Sequence, residues 1–177
     1  EYGDYFAWGE TQPKDYNDWS TYKWCIGSYN TLTKYNTSSS YGTVDNKTVL
    51  AKTDDAATVN WGGSWRMPTD AELTELREQC TWTWTTQNGS YGYKVTSKKN
   101  GNSIFLPAKL SLSEDVFVYS VSGDYWSSSL IADFPDCAWA VSITERNGVI
   151  HPDEIITKFY RRQKTRCYTG SVRPVCP

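Results

Sequence analysis

Two periods of apolar and polar positions organise this chain. The helical one is clearest after Pro68, where Leu73, Leu76 and Cys80 recur at spacings of three and four while Glu72, Glu75 and Glu78 face away. Thr69 is placed to cap that helix, and Glu72, three residues on, completes a capping box. A shorter helix is predicted over 54–60, capped by Thr53 or Asp54 and stopped by Gly62 and Gly63. From Thr81 the period becomes two: Thr81-Trp82-Thr83-Trp84-Thr85 alternates hydroxyl and ring, a strand signature. Asn88-Gly89 turns the chain, Tyr91, Tyr93 and Val95 alternate on the returning strand, and Ser103–Pro107 forms a short third strand after a second turn.

Elsewhere the pattern is weaker. Residues 1–35 carry many rings separated by Gly, Asp, Pro and Asn, and read as an aromatic loop wrapped on a core. Leu110 to Ser122 is ambiguous. Tyr125–Ser129 and Ala138–Ile143 read as neighbouring strands, Asn147-Gly148 as a hairpin turn leading to Val149-Ile150, and Ser171–Val175 as the closing strand. Between the flanking strands, residues 130–169 lack regular order and read as a display region. The expectation is an α+β fold with two short helices, short antiparallel strands and long loops. No repeat or linker splits residues 1–177, so a single domain is expected.

Composition changes the picture of the core. Nine Trp and 13 Tyr raise aromatics to 15% of the chain, so large rings with polar handles replace aliphatic packing. The net charge of −2 gives no global attraction to nucleic acid or anionic membrane. No apolar run reaches the ~20 residues that span a bilayer. Five cysteines without CxxC spacing argue against a structural zinc site. They are either free and buried or include one disulfide, involving Cys176 or joining Cys137 to Cys167. Asn36-Thr-Ser and Asn46-Lys-Thr match the N-glycosylation pattern.

Five segments together resemble the Fibrobacter succinogenes major paralogous domain: 3–10 (Gly-Asp-Tyr-Phe-Ala-Trp-Gly-Glu), 65–72 (Trp-Arg-Met-Pro-Thr-Asp-Ala-Glu), 102–107, 125–129 (Tyr-Trp-Ser-Ser-Ser) and 171–175 (Ser-Val-Arg-Pro-Val). That group is common in gut Bacteroidetes and is similar to the C-type lectin fold and, more distantly, to formylglycine-generating enzymes. The resemblance spans nearly the whole chain and implies a C-type-lectin-like fold whose C-terminal region displays a ligand surface. It also implies a further strand ahead of the Gly-Asp-Tyr segment, so an N-terminal truncation is expected, leaving a sheet edge open to a partner subunit. Related domains with this ending are variable proteins of diversity-generating retroelements, which suits residues 130–169 as the variable stretch, although Glu154, Gln163 and Lys164 are not reached from an Asn codon mutated at its adenines. Asp133-Phe134-Pro135-Asp136 lacks the Glu-Pro-Asn or Gln-Pro-Asp and Trp-Asn-Asp triplets of sugar-binding lectins, so no calcium site carries over. The reactive cysteine pair of the enzymatic branch has only Cys167 and Cys176 to match it, and Cys176 falls in the structural ending.

The resulting expectation is a ligand-binding module, an adhesin or receptor-binding tip, without cofactor or catalytic set. It would act outside the cell, on a cell surface or virion, against a protein or glycan on another surface. The alternatives are an enzyme of the formylglycine-generating branch and a structural extracellular module. The basic cluster Lys158, Arg161, Arg162, Lys164 and Arg166, interleaved with Phe159, Tyr160 and Tyr168, suits an acidic or anionic partner. Candidate ligand contacts are Ile131, Phe134, Asp136, Cys137, His151, Asp153, Phe159, Tyr160, Arg161, Arg166 and Tyr168.

Overall fold

The computed structural model describes residues 4–14, 16–113, 118–147 and 158–176. Its strands are β1 Tyr5–Ala7, β2 Cys80–Gln87, β3 Ser90–Ser97, β4 Ser103–Pro107, β5 Lys109–Ser113, β6 Val118–Leu130, β7 Cys137–Asn147, β8 Lys158–Thr165 and β9 Thr169–Ser171. Two helices, α1 Ala56–Trp61 and α2 Asp70–Gln79, precede most of them. The architecture is α+β with largely antiparallel sheets. One sheet runs β1-β9-β6-β7-β8, with β5 also paired to β6; the other is β2-β3-β4. The chain forms two compact units, each assembled from distant segments: residues 3–70, 125–140 and 162–177 in one, and residues 71–124 and 141–161, with 1–2, in the other.

The first unit is organised around indoles. Trp8 and Trp126 are fully buried, with Phe6, Tyr35, Met67 and Leu130 in one cluster. The two buried indoles and Tyr22 keep their polar atoms bonded, as a low-dielectric interior requires. Trp8 Nε1 donates to Ser127 O at 2.8 Å, Trp126 Nε1 to Phe6 O at 2.9 Å and Tyr22 Oη to Trp8 O at 2.7 Å. β1 and β9 pair antiparallel, Tyr5 opposite Ser171 and Ala7 opposite Thr169. Gly170 sits where a Cβ would come within 2.8 Å of Trp126 Nε1, so only glycine lets β9 lie on that indole.

Several expectations need correction here. The aromatic segment 1–35 holds a strand, β1. The closing strand is Thr169–Ser171, and Val175 makes only an isolated bridge to Arg66. α1 is capped by Asp55, whose Oδ1 accepts from Thr58 N at 2.9 Å, not by Thr53 or Asp54. Asp54 is buried and engaged by Lys34 and Tyr35 instead. Asn36 is fully buried, donating to Thr43 O and accepting from Ser38 N, which withdraws it as a glycosylation acceptor.

α2 begins at Asp70, as the capping pattern at Thr69 predicts, and Leu73 is buried on its apolar stripe. β2 and β3 form the expected hairpin, Gln87 opposite Ser90, around Asn88 and Gly89 with φ of 50° and 78°. Positive φ at both loop residues is the signature of the tight turn whose twist matches the strands. Of the ambiguous stretch 110–122, the described residues fall in β5 and β6, which pair antiparallel. The Asn147-Gly148 turn and Val149-Ile150 run into residues 148–157, outside the described residues.

Candidate functional site

The display region contains two long strands, β7 and β8, and two tight turns of the first unit. Leu130 ends β6. Phe134 N then donates to Ile131 O at 3.1 Å and Cys137 N to Phe134 O at 2.8 Å, while Ile131 N reaches back to Cys137 O at 3.2 Å. Ile131 and Pro135 are buried, so the turn holds Phe134 between two inward residues, 48% exposed. After β8, Tyr168 N donates to Thr165 O at 3.2 Å; Arg166 and Cys167 turn inward and Tyr168 is left 55% exposed.

Arg166 fastens the two turns together. Its N–H donates to Asp136 O at 3.0 Å, and its Nη1 donates to Pro135 O at 2.7 Å and Tyr35 O at 2.8 Å. Nη2 reaches Lys34 O at 3.1 Å and Nε reaches Tyr22 Oη at 2.9 Å. The guanidinium carbon lies 5.0 Å from the Trp8 ring centroid and 5.3 Å from that of Tyr22. A buried cation is tolerated when its donors are matched by acceptors. Three carbonyls, a phenol and two ring faces match this one.

Arg166 therefore does not orient a ligand at the surface: it has no exposed area and serves as an internal anchor. Ile131, also expected at the surface, is buried. Asp136 and Cys137 are half-buried and lie between the exposed rings in sequence. Arg161 is exposed on β8, beside Phe159 and Tyr160 of the same strand. His151 and Asp153 lie outside the described residues.

The sequence reading missed the loop that borders the first turn. Thr37 Oγ1 donates to Ala132 O, and Tyr41 packs edge-on to Tyr29, which is 51% exposed, with centroids 6.2 Å apart. Burial raises the Tyr41 pKa, and the charge of Asp136 adds to the rise. The Ser-, Thr- and Asn-rich composition of 36–46, with one Gly, marks a loop, and its neighbouring tyrosines were the available signal.

Burial pushes the Cys137 thiol up to about 11, with the Asp136 charge adding to it, and burial likewise raises Cys167 to about 11. Both are thiols at neutral pH, without the thiolate character a nucleophile needs. All five cysteines are free. Among the described residues no group of three or more His, Cys, Asp or Glu is arranged to hold a metal ion. A separate cleft of about 490 Å³ in the same unit is lined by Val49, Lys52, Trp65 and Arg66. No protein-family model, curated protein or solved structure matches the chain.

Proposed function

We propose that this chain is a ligand-binding module of C-type-lectin-like build, in which two anchored turns present Phe134 and Tyr168 to a partner. The observation that carries this reading is the pair of large rings left exposed on turns that a single buried cation holds in place. Exposed aromatics on rigid supports contribute contact area at little ordering cost. Asp136 and the tyrosines Tyr29 and Tyr41 extend the surface with a carboxylate and two phenols. A protein or glycan on another cell or virus surface is the fitting class of partner, with the module acting outside the cell. Residues 130–169 are the stretch where sequence change would retarget it, in the manner of a retroelement-diversified protein. An added strand from a partner subunit would lie beside β1.

The test is the double variant Phe134→Ala with Tyr168→Ala, whose thermal unfolding should stay close to the parent because both rings are exposed. Binding to intact cells and to a glycan array should fall at least tenfold, the expected loss of a central aromatic pair worth about 2 kcal/mol. Unchanged binding by a folded double variant would overturn the assignment.

A further inference from the structure

Among the described residues, the outer strand of the β2-β3-β4 sheet lacks the charges, prolines and bulges that usually protect an edge. β2 is eight residues long, its pairing with β3 runs without a bulge, and no charge or proline occurs from Gln79 to Tyr93. Natural edges are kept from pairing by such devices. Among the described residues, β3 is the only strand beside it.

The sequence of β2 is also symmetric about Thr83: Thr-Trp-Thr-Trp-Thr reads the same in both directions. The two-residue turn makes Gln87 and Ser90 a hydrogen-bonded pair, and the pattern alternates from there. Thr81, Thr83 and Thr85 therefore direct their backbone groups toward β3, while Cys80, Trp84 and Thr86 direct theirs outward. An antiparallel copy with its axis at Thr83 sets Trp82 against the copy's Trp84 and Cys80 against its Thr86. The outward N–H and C=O groups of Cys80 then meet those of the copy's Thr86. The same register places Thr against Thr on one face and Trp against Trp on the other.

We propose that two copies of this chain associate through β2, forming a continuous antiparallel sheet in the order β4-β3-β2-β2-β3-β4. The occupant is a second copy because the palindrome lets an antiparallel copy match both side-chain faces, Thr to Thr and Trp to Trp, in the register that also pairs the backbones. The absence of charge removes the like-charge repulsion that a two-fold axis otherwise imposes. Such a dimer would be bivalent, presenting two ligand surfaces.

The side chain of Thr83 is exposed and lies opposite Lys94 of β3, so charge can be introduced there without disturbing the core. Sedimentation over a dilution series should show a monomer–dimer equilibrium for the parent chain. Thr83→Glu and Thr83→Lys should each weaken it about fivefold or more, since like charges meet on the axis. Mixing the two variants should restore dimer. In parallel, hydrogen exchange at the Trp84 and Thr86 amides should slow with rising concentration in the parent only, while Thr83 and Thr85 stay protected throughout. A parent that remains monomeric, a mixture that fails to recover dimer while each variant retains its circular dichroism, or exchange at Trp84 that ignores concentration would each overturn the proposal.

Discussion

Replacing Arg166 with methionine tests the view that a buried cation holds the site together. Methionine keeps the stem and much of the volume but removes every donor. Four side-chain hydrogen bonds are lost, to Tyr22 Oη, Tyr35 O, Pro135 O and Lys34 O. Bonds to a charged group contribute about 1.5–3 kcal/mol each before the cation's own desolvation is set against them. That desolvation offsets a large part, and replacing all members of a buried ionic set can even be neutral. Here three of the four acceptors are backbone carbonyls, which remain after the substitution and lose their donor. The expected cost is therefore about 3–5 kcal/mol, a large share of the 5–15 kcal/mol typical of a domain. Arg166→Lys should cost about 2–3 kcal/mol, because a point charge cannot span four acceptors set for a planar fork. Urea unfolding followed by fluorescence reads the change as a lower midpoint at constant slope. Asp133→Ala, at an exposed position, should stay within about 0.5 kcal/mol and serves as the control. An Arg166→Met variant within about 1 kcal/mol of the parent would refute the anchor.

Other outcomes follow from the same packing. Gly170→Ala drives a Cβ to 2.8 Å from Trp126 Nε1 and should destabilise by about 1–3 kcal/mol, visible as a lower Tm. Asp55→Ala removes the α1 cap and the acceptor of Met67 N, a buried donor bonded at 2.9 Å, and should cost about 2–4 kcal/mol in urea unfolding. Burial works to raise the pKa of Asp54, but hydrogen bonds from Lys34 and Tyr35 outweigh it and the net shift is downward from 3.8. The unfolded chain then binds the proton more readily, so stability present above pH 3.8 should fall as the pH drops below it, and Asp54→Asn should flatten that decline in an acid titration. Burial raises the pKa values of Tyr22 and Tyr35 well above 10, so the unfolded chain ionises first and stability should decline as the pH climbs past 10. Fluorescence-monitored unfolding midpoints across that range check the sign.

What could be read in advance was local. The β2–β4 sheet was legible because the alternation of Thr and Trp and the Asn-Gly turn are contained within 27 residues, 81–107. The start of α2 was legible for the same reason, since a cap and its third residue are neighbours. The β1–β9 pairing was hidden: three residues, Tyr5–Ala7, find their partner at the far end of the chain. Asp54 and Asp55 are adjacent acids, and only the distant Lys34 and Tyr35 decide which one is left to cap α1. Arg166 was misread because an arginine among other cations suggests a solvated face. Three of its four side-chain acceptors are carbonyl oxygens, which leave no mark in a sequence. The exposed rings Phe134 and Tyr168 were legible as candidates, but their shared support was not.

The anchor has an evolutionary consequence. Carbonyl oxygens are common to every residue type, so the grip of Arg166 on Pro135 O and Asp136 O is indifferent to the side chains carried by Ala132, Asp133, Phe134 and Tyr168, all of them exposed. Replacements at those four positions should each move stability by no more than about 0.5 kcal/mol. Folding is thereby insulated from the identity of the outward residues. A lineage, or a randomised library, can sample many surface chemistries on this frame without repeatedly crossing the threshold of unfolding.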